Sequence, residues 1–137
     1  MINEDYVSFE IARQLKEKGF NEQCFTYYDN TNDSINRFDK GYHFNNTSYP
    51  WGVPYNINNA KKYVCAPTLQ MAMKWLREAH NIFIQITVDF SDGAYPMYDV
   101  CVIDLAKCTS IVINGYNRYS YEEAIKAGIK YCLENLI

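Results

Sequence analysis

Residues 65–88 read CAPTLQMAMKWLREAHNIFIQITV, and this stretch decides the fold. A helix with a wide apolar face runs into a strand of near-perfect alternation through almost no loop. Proline is tolerated in a first helical turn, because the N–H it lacks has no intrahelical acceptor there. The pattern therefore predicts a helix from about Pro67 to His80. Leu69, Ala72, Met73, Leu76 and Ala79 recur at the i, i+3, i+4, i+7 spacing of one buried face. Met71 and Trp75 widen that face, as core or as a dimer seam, and Lys74, Arg77 and Glu78 take the wet side. In residues 82–90, Ile82, Ile84, Ile86, Val88 and Phe90 point one way, while Phe83, Gln85, Thr87 and Asp89 point the other.

Downstream, Ser91-Asp92-Gly93 signals a turn, and residues 97–105 return as a second strand. Residues 109–113 make a third, ended by Asn114-Gly115. Ser120 and Glu123 form a capping box for a last helix. Its buried face is Ile125, Gly128, Ile129, Cys132 and Leu136. Glycine in mid-helix costs up to about 1 kcal/mol against alanine, so Gly128 implies a close approach by another backbone.

Upstream, Ser8 caps a helix over residues 8–18 with Ile11, Ala12 and Leu15 inward and Arg13, Lys16, Glu17 and Lys18 in water. Gly19 stops it. Residues 24–28, CFTYY, have strand propensity. Residues 29–62 are polar, and a short strand near Gly41 to Phe44 is expected, because a structureless loop of that length is rare in a compact domain. The fold class is α+β: an antiparallel sheet of about four strands, including a meander, packed against three helices in one domain over residues 1–137.

At 137 residues the chain can bury roughly two-thirds of its unfolded surface, so no staple is required. Aromatic residues make up 16%, with 13 Tyr. Tyrosine hides a ring and wets a hydroxyl, which suits clefts and interfaces as well as padding on a sheet. The net charge is −3 and the longest basic run is Lys61-Lys62, so the positive stripe needed for duplex nucleic acid is missing. A small anion needs only one or two basic groups and helix-terminal amides. The start, MINEDYVSFE, does not read as a signal peptide, and no apolar run approaches the ~18 residues of a membrane span. Five cysteines without framework spacing suggest reduced thiols in a cytoplasm.

Three blocks carry a resemblance: SFEIARQLKEKGF (8–20), APTLQMAMKWLREAHNI (66–82) and SYEEAIKAGIKYCLENLI (120–137). They resemble a family of small uncharacterised proteins of Bacteroidales genomes and of their phages and mobile elements. Gly128 stands where that pattern has Ala. The resemblance implies a setting rather than a chemistry: an intracellular accessory protein, phage-encoded, in the cytoplasm of the host cell.

Cys65 precedes the Pro67 helix, and helix N-termini lower a thiol pKa, so a nucleophile with His43 or His80 as base is one alternative. Its flank YVCAP is apolar, which favours a core thiol. Cys101 and Cys108 lack metal-ligand spacing. His80 suits a dipole-favoured helix end. Asp89, Asp92, Asp99 and Asp104 surround one hairpin, either as acid and base or as solubilising turn residues. No P-loop or GxGxxG is present. The remaining constellation is aromatic and basic. Tyr49, Trp51 and Tyr55 in YPWGVPY (49–55) can stack on a planar base, and Arg37, Lys61, Lys62 and Arg118 can meet phosphate. Tyr116, Tyr119 and Tyr121 can line the same mouth.

The candidate ligand-binding set is therefore Tyr49, Trp51, Tyr55, Lys61, Lys62, Thr68 at the helix N-terminus, Arg118 and Tyr119. No catalytic residue, metal ligand or cofactor is assigned. The expected function is a non-catalytic binding protein for a small planar anionic ligand, such as a nucleotide-derived signal sequestered in phage counter-defence. The alternatives are a protein-interaction module that inhibits a host factor, and a Cys-dependent enzyme. Homo-oligomerisation is open.

Overall fold

The computed structural model describes residues 2–29, 35–42 and 63–137. They divide into two compact units, Met1–Thr68 and Leu69–Ile137. In the first, Ser8 is extended and its hydroxyl accepts the Ile11 N–H at 3.2 Å, opening α1 (Phe9–Glu17). Ile11, Ala12 and Leu15 are buried as the spacing implied. Gly19, at φ +90°, takes the left-handed position that ends the helix, and the Phe20 ring returns fully buried.

β1 (Cys24–Asp29) is the centre of a three-stranded antiparallel sheet between β2 (Ile35–Tyr42) and β3 (Tyr63–Cys65). Thr26 faces Arg37 on one side, and Tyr28 faces Val64 on the other. The expected strand near Gly41 begins earlier, at Ile35; His43 and Phe44 lie outside the described residues. The Tyr28 hydroxyl donates to the Val7 carbonyl at 2.6 Å. The Val7 N–H donates to the Pro67 carbonyl at 3.0 Å, and Tyr6 bridges Thr68. This pairing holds residues 66–68 extended. The helix expected from Pro67 therefore starts at Leu69.

That helix, α2 (Leu69–His80), belongs to the second unit. Leu69, Ala72, Trp75 and Leu76 are buried, Met73 is half-buried and Ala79 is exposed. The apolar face is thus turned toward Trp75, whose ring packs edge-on against His80 at 4.6 Å. Asn81, at φ +57°, is the whole joint between helix and strand. Asparagine tolerates that left-handed conformation better than most residues.

β4 (Ile82–Asp89), β5 (Met97–Asp104) and β6 (Thr109–Val112) form an antiparallel meander in that order. Ile82 and Ile84 are buried, Ile86 is half-buried, and Val88 and Phe90 are exposed, so the inward face of β4 fades along its length. α3 (Tyr121–Asn135) packs on this sheet through Ala124, Ile125, Gly128, Ile129, Cys132 and Leu133. Leu136, expected inside, is the exposed C-cap. Ser120 accepts the Glu123 N–H at 3.2 Å. The Glu123 carboxylate turns to Lys126 at 3.6 Å, which leaves half a capping box. A Cβ on Gly128 would lie 2.9 Å from Val100 Cγ2 and 3.1 Å from Ile84 Cγ2. The close approach is real, but it is to sheet side chains rather than to backbone.

Beyond β6 a side chain continues the ladder on β5. The Tyr116 hydroxyl accepts the Val100 N–H and donates to the Tyr98 carbonyl, each at 2.9 Å. The Tyr98 N–H then donates to the Arg118 carbonyl at 2.6 Å. Tyr116→Phe strands both backbone groups. We expect a loss of about 1–3 kcal/mol, read as a lower urea midpoint, with faster amide exchange at Val100.

The fold is α+β with antiparallel sheets and, among the described residues, three helices and six strands in two sheets of three. No helix among them is long and apolar enough to cross a membrane.

Candidate functional site

Residues three and four apart share a helix face, so Arg13, Lys16 and Glu17 project together from α1. With Val64 of β3 they line a cleft of about 650 Å³ in the first unit. That volume falls within the range of small-molecule sites, roughly 300–1,000 Å³. Lys16 Nζ donates to the Tyr63 carbonyl at 3.1 Å. Partial burial holds its pKa below the ordinary lysine value. The Arg13 guanidinium lies 5.8 Å over the Phe9 ring, and Phe9 packs edge-on against Tyr28 at 5.5 Å. Among the described residues no carboxylate lies within ion-pair distance of Arg13 or Lys16. The cleft therefore presents two fixed cations, one partly stripped of water and held by a neutral carbonyl. An incoming anion gains attraction there without having to displace a carboxylate of the chain.

The candidates from sequence are distributed differently. Tyr49, Trp51, Tyr55, Lys61 and Lys62 lie outside the described residues. Thr68 is half-buried in its bridge with Tyr6. Arg118 and Tyr119 come together in the second unit, among carboxylates. Arg118 Nη2 sits 2.6 Å from Asp99 Oδ1 and 3.3 Å from Asp89 Oδ2, and Nε donates to Asp99 Oδ1 at 2.9 Å. The Tyr119 hydroxyl donates to Asp92 at 3.2 Å. A phosphate would have to compete with these carboxylates for Arg118. Arg37 is an exposed residue of β2.

Turn hydrogen bonds account for two more of the aspartate contacts. Asp89 accepts the Ser91 N–H at 2.8 Å; its hydrogen bonds with Ser91 first, and Arg118 after them, hold its pKa below the ordinary carboxylate value. Asp104 accepts the Ala106 and Lys107 N–H groups at 3.0 Å in the other hairpin turn. These carboxylates fasten turns.

Cys65 is fully buried, as are Cys132 and, very nearly, Cys24. A hydrogen bond with the Cys65 thiol, followed by burial, pushes Cys24 up, and burial pushes Cys132 up to about 12. A thiol reacts as its thiolate. Iodoacetamide at neutral pH should therefore label exposed Cys108 first and half-buried Cys101 more slowly. Cys24, Cys65 and Cys132 should react only on unfolding. Peptide mapping by mass spectrometry gives the order; early labelling of Cys65 would restore the nucleophile reading.

From sequence alone Arg13 and Lys16 read as a solvated helix face. No local signal separates a wet face from a cleft wall; only the return of β3 against α1 does. No family model, curated protein or solved structure matches the chain.

Proposed function

We propose that the protein is a non-catalytic binder of a small, planar, anionic ligand, held by Arg13 and Lys16 in the cleft between α1 and β3. The observation that carries this reading is the pair of cations, without carboxylate partners among the described residues, in a cleft of ligand size. The buried Cys65 supports a binder over a thiol enzyme. The aromatic segment with Tyr49, Trp51 and Tyr55, and the Lys61-Lys62 pair, are further groups of a kind that recognises planar anions. In the setting implied by the three sequence blocks, the ligand is a nucleotide-derived signal and the role is its sequestration in phage counter-defence. A thermal-shift and calorimetric screen against cyclic and linear nucleotides tests the reading. Saturable binding is expected, and uniformly null results overturn it.

A second reading, a protein-interaction module, is favoured by the outer face of the second sheet. There Phe83 and Val112 are 38% and 61% exposed, on the same side as Ile103 and Cys101 by register. A pull-down in which Phe83→Ser/Val112→Ser retains every captured partner would remove it.

A further inference from the structure

On the helix side of β4, Ile84 is buried against Gly128 of α3, but Val88 on the same face and Phe90 just beyond the strand are exposed. Tyr95 of the β4–β5 turn, Tyr119 and Tyr121 are exposed as well, with Phe90 at 72% and Tyr95 at 69%. The Tyr119 hydroxyl reaches Asp92 of that turn at 3.2 Å. Tyr121 packs edge-on against Tyr98 at 5.7 Å, and Tyr98 faces Val88 across the ladder. These contacts gather the exposed apolar side chains at one end of the second sheet. Apolar and aromatic groups collected in water, with polar residues around them, mark a contact surface. The same end is acidic. Residues 88–99 hold Asp89, Asp92 and Asp99 and no Lys or Arg, and residues 118–122 add Arg118 and Glu122. Four carboxylates against one guanidinium give it a charge of −3, equal to the net charge of the whole chain. We infer that this end of the second unit is a docking surface for a basic segment of a partner protein that carries apolar side chains.

Charge selects the occupant. A second copy of the chain would bring the same carboxylates against these, and like charges across an interface oppose pairing. An anionic lipid surface or a nucleic acid meets the same repulsion. A basic segment is drawn in by the carboxylates, and its apolar side chains then cover Phe90 and Tyr95. Asp92 is exposed, whereas Asp89 and Asp99 are half-buried, so Asp92 is the carboxylate most open to an incoming cation. The surface is held in place before binding. Arg118 ties Asp89 to Asp99 at 3.3 and 2.6 Å, and the Tyr116 hydroxyl fixes the backbone of Tyr98 and Val100. Side chains presented on a fixed frame lose little freedom on association. The surface shares no residue with the cleft of α1 and β3, so the two proposals stand or fall separately.

Fluorescence anisotropy with the full chain and three fluorescein-labelled peptides tests this: a Leu/Lys peptide with its leucines at helical spacing, its Leu/Glu counterpart, and a Gly/Lys peptide of the same charge as the first. The Leu/Lys peptide should bind saturably, and the other two at least about tenfold more weakly, because one lacks the charge and the other the apolar groups. Phe90→Ser/Tyr95→Ser should weaken Leu/Lys binding by about tenfold. Asp92→Asn should weaken it by about threefold and flatten its salt dependence. Phe83→Ser/Val112→Ser, on the outer face of the same sheet, should leave it unchanged. No saturable binding of the Leu/Lys peptide, equal binding of the Gly/Lys or Leu/Glu peptide, or a loss on Phe83→Ser/Val112→Ser in place of Phe90→Ser/Tyr95→Ser overturns the proposal. The substituted side chains are exposed, and unchanged circular dichroism of each variant separates lost contact from misfolding.

Discussion

Replacing Arg13 and Lys16 together by alanine should weaken binding of 3′,5′-cyclic AMP by about a hundredfold, with the fold intact. Hydrogen bonds to charged groups contribute about 1.5–3 kcal/mol each, and two such contacts are lost. The exposed position of Arg13 places its share at the low end, since solvent screens it. Neither residue belongs to the core of α1, which is Ile11, Ala12 and Leu15, so stability should fall by no more than the lost Lys16–Tyr63 hydrogen bond, about 0.5–1.5 kcal/mol. Calorimetry and a denaturation curve on the same sample check both halves. Arg118→Ala is the opposite case. It releases Asp89 and Asp99 from their shared cation, so stability should fall only slightly, because solvent screens the pair, while affinity stays unchanged. A large loss of affinity on Arg118→Ala would move the anion site to the second unit.

Gly128→Ala should destabilise the second unit by about 1–2 kcal/mol. Two effects oppose each other. Alanine improves the helix by up to about 1 kcal/mol. Its methyl, however, would enter space 2.9 Å from Val100 Cγ2 and 3.1 Å from Ile84 Cγ2. Both neighbours are β-branched, with stiff χ1, and Val100 is fully buried. Overpacking of this kind costs about 1–3 kcal/mol, and the rigid neighbours put it at the upper end, so the clash prevails. Val100→Ala removes the nearest obstructing atom. The double variant Gly128→Ala/Val100→Ala should therefore be more stable than the two separate losses would imply, by at least about 0.5 kcal/mol of coupling. Additive losses in urea denaturation would show that the contact is not what excludes a methyl.

Much of the fold was legible in the sequence because local signals act alone. Ser8 and Ser120 cap their helices and Gly19 ends one in any context. The alternation from Ile82 to Asp89 fixes a strand whatever it packs on. What escaped was set by pairing at a distance. Pro67 reads as a helix start, but the Val7–Pro67 and Tyr6–Thr68 contacts hold the chain extended there. β3 has three residues, too few for a periodic signal, and among the described residues its pairing with β1 makes it a strand. Among the described residues the six strands form two sheets of three rather than one larger sheet. The place of the proposed site was not legible. Excess tyrosine and scattered basic groups suggested anion recognition. Arg118 reads as a phosphate partner in sequence, but Asp89 and Asp99 hold it in the fold. Arg13 and Lys16 gave no local sign of their cleft, because a helix face becomes a wall only when a remote strand returns beside it.

In the proposed function α1 and β3 hold the anion. An amide NMR titration of the full chain with 3′,5′-cyclic AMP tests it most directly. Saturable shifts should concentrate at residues 13–17 and 63–65. Shifts concentrated within residues 69–137, or none at ligand concentrations of several millimolar, would contradict it.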